Sequence, residues 1–329
     1  MDPQKYTASQ FPSRLASQPS SQTSELPALP SLEHLKKQAK DLLAAYQGGD
    51  TGADERLRQW FPDLPAGQIK LTQAQLVLAR EYGFPSWARF RQAILKALVE
   101  RLATYHWSEW RLAAAARAAL VQAGAVGMRA AIEGLSHPEP RVRRGAADFM
   151  DHHADDSCVP KLSELALHDP VPYVRRTAVH ALKCQRCKPS PLTADVTPLL
   201  ARVAQEDSSA RVRTEAMGSL DTAQLMRAAQ EDPSPRVRQR AVASLGTEQL
   251  ARAAREDPSP RVRLRALGAL GTRLGSVVAQ HALEAALHEE TREDVRRAAH
   301  LALKRVSLEY RQLAAERARD ASMAQVSSA

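Results

Sequence analysis

Two consecutive stretches, TAQLMRAAQEDPSPRVRQRAVASLG (222–246) and TEQLARAAREDPSPRVRLRALGALG (247–271), align without a gap and match at 18 of 25 positions. Self-similarity at a fixed period indicates a repeat architecture, in which each unit packs on its neighbours. A step from valine to arginine recurs six times, at intervals of 32, 38, 25, 25 and 33 residues. Much of the second half of the chain is therefore predicted to be one array of short repeats. The six valines are Val142, Val174, Val212, Val237, Val262 and Val295.

Each 25-residue copy predicts two short helices joined by a turn. The turn is Asp232-Pro233-Ser234-Pro235, because proline fixes φ and suits the first position of a helix, and the acid can cap that helix. Gly246 is expected to end the second helix. Since neither helix can bury its apolar face alone, neighbouring repeats must stack. The apolar positions are Leu225, Ala228 and Ala229 in the first helix and Val237, Ala241, Val242 and Leu245 in the second.

These residues resemble HEAT-like repeats, including the short type first noted in bilin-lyase proteins, and the 25-residue copies also resemble the leucine-rich variant repeat. The resemblance covers about residues 112–306. It implies an all-α solenoid in a bacterial protein, with a ladder of ion pairs between the turn aspartate and the arginine after the valine. Asp232 with Arg238, and Asp257 with Arg263, fit that ladder. The first and last copies depart from the pattern, as capping repeats do, with His137 in place of the acid and Glu290-Thr291 in place of Asp-Pro.

The rest of the chain divides by composition. Residues 1–30 are rich in Ser, Pro and Gln and are predicted to be disordered. Residues 31–98 are predicted to form a small helical module, residues 99–310 the repeat solenoid, and residues 311–329 the end of the last helix and a flexible tail. Within the module, LEHLKKQAKDLL and LTQAQLVLAREYGFPSWARF resemble the N-terminal module found ahead of ankyrin-type and HEAT-type repeats in bacterial proteins. That resemblance implies an architecture and no activity.

Bulk composition limits the class of protein. Aromatic residues make up only 5%, which favours a thin helical core over β-structure. The net charge of +9 is spread along the chain and raises the case for nucleic-acid binding only modestly. No apolar run approaches the roughly 18–20 residues of a membrane span, and no secretory signal is evident. Three cysteines are too few for a disulfide framework, so we expect a cytoplasmic protein with reduced thiols.

Arginines of the repeats have two interpretations. Stacking brings equivalent residues of neighbouring repeats within roughly 10 Å, so that a basic stripe could follow a phosphate backbone. The alternative is an ion-paired ladder, which suits the arginines after the valine best. Those before the valine, and two further along the helix, are less constrained and are the candidate phosphate contacts: Arg211, Arg236, Arg240, Arg261 and Arg265.

The longest interval between repeats contains HALKCQRCKPSP (180–191). His180, Cys184 and Cys187 are spaced i, i+4, i+7, which places them on one helix face with donors suited to zinc. A shift of 32 residues aligns His152 with Cys184 in the adjacent repeat. The hypothesis is a structural zinc ion that ties two layers together. A redox-active dithiol and simple packing of the thiols remain alternatives.

The predicted function is a non-catalytic scaffold whose concave face, lined by the second helices, binds a protein partner. No nucleophile elbow, phosphate-binding loop, dinucleotide loop or HExxH motif occurs, so no catalytic residue and no cofactor beyond the zinc ion is proposed. The alternative is a solenoid that binds nucleic acid through its arginines. An enzyme acting on bases or bilins would need acids and aromatics that converge in the groove. Trp107 and Trp110 predict a helix face that docks the module onto the repeats, or a ligand-stacking pair.

Overall fold

A computed structural model describes most of the chain. The described residues form helices joined by turns and loops, and they contain no strand. Trp107, the predicted tail 311–329 and most of the predicted tail 1–30 lie outside them, so the expectations for these segments stay untested. None of the described helices is long and apolar enough to span a lipid bilayer. The described ranges are 26–27, 29–65, 67–103 and 110–307.

The chain packs as two compact units, and residues 1–162 with 187–190 form the first. Within it, α1 packs on α2 and α3, and α4 packs on α5, α6 and α7. The predicted boundary between residues 98 and 99 is not tested by this grouping. The helices of the first unit are α1 (Leu32–Gln47), α2 (Thr51–Arg58), α3 (Leu71–Glu81), α4 (Trp87–Arg101), α5 (Trp110–Gln122), α6 (Ala125–Gly134) and α7 (Pro140–His153).

Short polar side chains begin three helices of the first unit. Ser31, Asp50 and Ser86 each accept a hydrogen bond from the backbone N–H three residues later, which satisfies a donor that the first helical turn leaves free. Asp50 starts α2, a helix that the sequence analysis did not identify. Only Ala53 and Leu57 are buried in α2, and two apolar residues are too few to show helical periodicity.

The second unit comprises residues 163–186 and 191–329, and its helices alternate between two layers. The second helices of the repeats, α9, α11, α13 and α15, contact one another in that order. The helices are α8 (Val159–His168), which begins just before the unit, α9 (Pro172–Lys183), α10 (Thr197–Glu206), α11 (Ala210–Ala216), α12 (Thr222–Glu231), α13 (Pro235–Val242), α14 (Thr247–Glu256), α15 (Pro260–Leu270) and α16 (Val277–Glu289). Residues 293–307 are helical as well.

The predicted two-helix repeat is confirmed in the second unit. Pro235 and Pro260 occupy the first positions of α13 and α15, and the valine two residues after each proline is fully buried. Two details differ from the prediction. α13 ends at Val242, and Gly246 is the N-cap of α14. Asp232 accepts from the N–H of Ser234 two residues later, so it stabilises the turn and does not cap α13.

Candidate interaction surface

The arginine after the valine in each repeat forms a hydrogen bond to the backbone of the turn that precedes it. Its Nη1 atom donates to the carbonyl oxygen of the residue six positions earlier, at 2.7–3.4 Å. Because the last carbonyls of a helix have no intrahelical donor, this bond satisfies a group that the turn would otherwise leave free. The six pairs are Arg143–His137, Arg175–Asp169, Arg213–Asp207, Arg238–Asp232, Arg263–Asp257 and Arg296–Glu290.

Four of these arginines also bind the carboxylate of the following repeat. Nε and Nη2 donate to the two carboxylate oxygens at 2.6–3.1 Å, which is the bidentate geometry that makes an arginine–carboxylate pair strong. The ladder therefore links the turn of each repeat to the turn of the next. Its pairs are Arg175–Asp207, Arg213–Asp232, Arg238–Asp257 and Arg263–Glu290.

The pairing is offset by one repeat from the pairs predicted from sequence, so the predicted pairs Asp232–Arg238 and Asp257–Arg263 are wrong. The Asp232 carboxylate binds Arg213 of the preceding repeat. Arg238 does not bind that carboxylate: its Nη1 atom donates to the carbonyl oxygens of Asp232 and Pro233, and its Nε and Nη2 atoms donate to Asp257. The Asp232 carboxylate also accepts from its own turn, as noted above, and this fixes its orientation. Each guanidinium consequently bridges two repeats.

The ladder is largely buried and its guanidinium groups already bind carboxylates, so we assign it a structural role. The side chains of Arg238 and Asp257 are 9% and 6% exposed. Hydrogen bonding to the carboxylate raises the pKa of the Arg238 guanidinium, and the same cause acts at Arg175 and Arg213. At the end of the ladder, the Arg263 guanidinium holds the pKa of Glu290 below its ordinary value. These arginines are therefore not candidate ligand contacts.

A polar network joins α9 to α11 where the repeat is interrupted. Glu215 Oε1 accepts from Lys183 Nζ at 2.7 Å and lies 3.0 Å from Nδ1 of His180. Lys183 also donates to the Glu215 carbonyl oxygen. Burial raises the pKa of Glu215, but the hydrogen bonds from Lys183 and His180 outweigh it, so the pKa lies below its ordinary value. The network was not predicted, because Glu215 lies 32 positions from Lys183 and 35 from His180 in sequence.

The five arginines predicted to contact phosphate lie on the second helices of the second unit. All five are exposed, and none of their side chains forms a hydrogen bond or an ion pair with another described residue. We call the four on α13 and α15 the arginine quartet. Its members are Arg236, Arg240, Arg261 and Arg265, and the fifth residue, Arg211, lies on α11.

On the first helices of the same repeats, most exposed arginines form ion pairs. Of the four exposed arginines on α10, α12 and α14, three pair with a glutamate of their own helix at 2.7–2.9 Å, and Arg227 is the exception. By contrast, α13 and α15 contain no acidic residue. Unbalanced positive charge is therefore concentrated on the second-helix surface, meaning the exposed sides of α9, α11, α13 and α15.

Small residues lie beside the arginine quartet. Gly268 follows Arg265 by three residues on α15, and Ala243, just after the end of α13, is its equivalent one repeat earlier. A Cβ atom placed on Gly268 would meet no atom within 4 Å, so the glycine is not required by packing. No aromatic residue occurs from residue 207 to 307, which leaves the second-helix surface of α11, α13 and α15 without a platform for base stacking.

The predicted zinc ligands are divided between the two units. His152 and Cys187 belong to the first unit, where both are exposed and His152 Nε2 lies 3.7 Å from Asp151 Oδ2. His180 and Cys184 belong to the second, where His180 meets Glu215 and Cys184 is the C-cap of α9. The predicted placement of His180, Cys184 and Cys187 on one helix face is wrong, because α9 ends at Lys183 and Cys187 lies beyond it. Zinc binding by these four residues stays a prediction.

Comparison with known proteins bears on the repeats. The sequence profile of a family described as HEAT repeats matches residues 128–221 and 222–304, together more than half of the chain. The HEAT-like character that the sequence predicted is thereby confirmed, while the finer repeat types and the bacterial source stay predictions. The chain matches no curated protein.

Several solved structures are distantly similar to this chain. A human deoxyhypusine hydroxylase in complex with glycerol shares 16% identity, with a TM-score of 0.31, over 84% of this chain and 98% of that one. A designed armadillo repeat protein in complex with the peptide (KR)4 shares 18% identity, with a TM-score of 0.20, over 83% of this chain and 99% of that one. Similarities this distant carry no argument about function.

Proposed function

Because this chain belongs to the family of HEAT repeats, we propose that it is a non-catalytic scaffold that binds a protein partner through its second-helix surface. We expect this surface to be the concave one, because the second helices of such repeats line the concave face. No residue on it is assigned a catalytic role, and no cofactor is required for the proposed function.

One observation carries the proposal. Exposed arginines on α11, α13 and α15 lack partners among the described residues, while three of the four on the neighbouring first helices pair within their own helix. Uncompensated like charges repel one another and weaken a folded chain. A surface that keeps them in successive repeats is therefore best explained by a ligand that supplies the opposite charge.

Nucleic acid is the second candidate, because the same arginines suit phosphate as well as carboxylate. Two features favour a protein. First, the second-helix surface of α11, α13 and α15 has no Trp, Tyr or Phe side chain on which a base could stack. Second, proteins that bind a DNA duplex can make on the order of 6–10 phosphate contacts, and this surface offers only the five candidate arginines. If nucleic acid is the ligand, affinity falls steeply between low and moderate salt, and absence of binding at low salt excludes it.

Site-specific photocrosslinking tests the proposal. A benzophenone amino acid replaces Gln239 on α13 in one variant and Gln230 on α12 in the other, so that the same residue type is exchanged in each layer. In cells that produce the protein naturally, we expect discrete protein adducts from position 239 and far fewer from position 230. Equal adducts from both positions, or nuclease-sensitive adducts only, would contradict a protein scaffold that uses the second helices.

A further inference from the structure

We infer that the arginine quartet binds an extended, acidic segment of the partner protein. The inference rests on the proposed function and adds the chemistry of the partner. α13 and α15 each contain three arginines and no acid, and the ladder neutralises one arginine in each, through Asp257 and Glu290. Two positive charges per helix remain exposed, and the described part of the chain supplies no counter-charge for them.

The spacing of the quartet fits carboxylates on an extended peptide. Arg236 and Arg240 are four residues apart, as are Arg261 and Arg265, so each pair shares a helix face with roughly 6 Å between Cβ atoms. α13 packs directly on α15, and packed helix axes lie about 8–10 Å apart. In a polyproline II segment, residues three apart lie on the same side and about 9 Å from each other. Acids at every third position would therefore meet successive helices.

The surface beside the quartet leaves room for a peptide backbone. Gly268 and Ala243 present almost no side chain, and the space above Gly268 is open. Glycine in a helix interior has a cost in stability, and no packing contact in the structure requires it here. Close approach of a ligand backbone to α15 would account for a glycine at position 268.

The positive surface has boundaries on both sides. On α11, Arg211 keeps the positive charge, but Glu215 occupies the position equivalent to Arg240, and its carboxylate binds Lys183. In the helix 293–307, Asp294 occupies the position equivalent to Arg261. The exposed positive charge of the second-helix surface thus covers three helices, α11, α13 and α15. That extent suits a short peptide, and it is small for a nucleic-acid backbone, whose affinity depends on many phosphate contacts.

Carboxylates match this surface chemically. Arginine binds them through two parallel N–H···O bonds, and it does so without the aromatic side chains that assist binding of single-stranded nucleic acid. The quartet is exposed, so its interactions are screened by salt. An acidic segment held in this way binds reversibly and gains its specificity from the register of its acids on successive helices.

Fluorescence anisotropy on the full chain tests the inference. The probe is a labelled synthetic peptide of about nine residues, roughly 28 Å long as a polyproline II helix, with Glu at every third position, and its control carries Gln instead. The test variant is R236A/R240A/R261A/R265A. The matched control, R202A/R227A/R252A/R255A, removes the same charge from exposed arginines of the first helices. Thermal melting of both variants verifies that they remain folded.

We expect the Glu peptide to bind, the Gln peptide to bind far more weakly, and the quartet variant to lose roughly tenfold or more in affinity while the control stays within about twofold. Equal loss in both variants, or no binding of the Glu peptide to the unmodified protein, overturns the inference. Tighter, quartet-dependent binding of an oligonucleotide of equal charge overturns it in favour of nucleic acid. If protein adducts still form at position 239 in any of these cases, the scaffold function stands and only the acidic partner is excluded.

Discussion

Arg238 and Asp257 belong to successive repeats, and their side chains face each other through two hydrogen bonds, Nε to Oδ2 at 2.9 Å and Nη2 to Oδ1 at 3.1 Å. Nη1 of the same guanidinium binds the Asp232 carbonyl oxygen at 2.8 Å. One guanidinium thus satisfies three acceptor atoms in the turns of two successive repeats. Breaking a buried pair on one side leaves the other charge without compensation, which costs more than the pair itself contributes.

Replacing Arg238 by Ala should therefore destabilise the second unit by about 3–5 kcal/mol. The matched control is Arg236→Ala, two residues earlier on the same helix, which removes the same side chain from an exposed site and should change stability by at most about 0.5 kcal/mol. Hydrogen exchange of the α13 and α15 amides is the suitable measurement, because repeat arrays depart from two-state unfolding. Equal protection in the two variants would show that the ladder is not a stabilising element.

Glu290 makes the end of the ladder sensitive to acid. Arg263 lowers the pKa of Glu290 in the folded chain, so the carboxylate contributes stability that is fully present above the unfolded pKa, about 4.3, and is lost as the pH falls through the folded pKa. Glu290→Gln should be less stable than the unmodified chain at pH 7. The difference should shrink as the pH falls through the folded pKa of Glu290, below which both side chains are neutral. A difference that stays constant from neutral to acidic pH would contradict the assignment.

The repeated unit could be predicted from sequence because its physical causes are local. Proline at the first position of a helix and valine two residues later act within one turn, and both behave as predicted in α13 and α15. Helix α2 could not be predicted, since it has only two buried residues and depends on the Asp50 cap.

The register of the ladder could not be read from sequence for a different reason. The sequence places Asp232 six residues before Arg238 and Asp257 nineteen residues after it, and it does not say which carboxylate the guanidinium reaches. That choice depends on how far one repeat rotates on the next. The exposed arginines could be named as candidates from sequence. Whether they are paired could not, because pairing depends on the side chains of neighbouring helices, and only the structure shows that they lack partners among the described residues.

The zinc content of the purified protein distinguishes the zinc hypothesis from simple packing of the thiols. The zinc hypothesis predicts about one zinc ion per purified chain, loss of that zinc in C184S/C187S, and a lower melting temperature when a chelator is added. The packing alternative predicts well under one zinc ion and no effect of the chelator. C158S is the control, because Cys158 is buried with its Sγ atom 3.3 Å from Met150 Sδ, and burial raises the pKa of its thiol. Zinc loss in C158S alone would contradict the predicted ligand set.

Gly268 on α15 and Gly271, the C-cap of that helix, should respond in opposite ways to the same substitution. Gly268→Ala adds a methyl group where no atom lies within 4 Å, and it lowers the conformational entropy of the unfolded chain, so it should stabilise the protein by about 0.5–1 kcal/mol. At Gly271, the new Cβ atom would lie 2.8 Å from Ala302 Cβ and 3.1 Å from its Cα, so Gly271→Ala should destabilise the end of the array by about 1–3 kcal/mol through overpacking. Thermal melting of the two variants against the unmodified chain measures both effects. A stabilising Gly268→Ala change would show that glycine is retained there at a cost to the fold, and a loss of stability would mean that α15 itself needs the glycine.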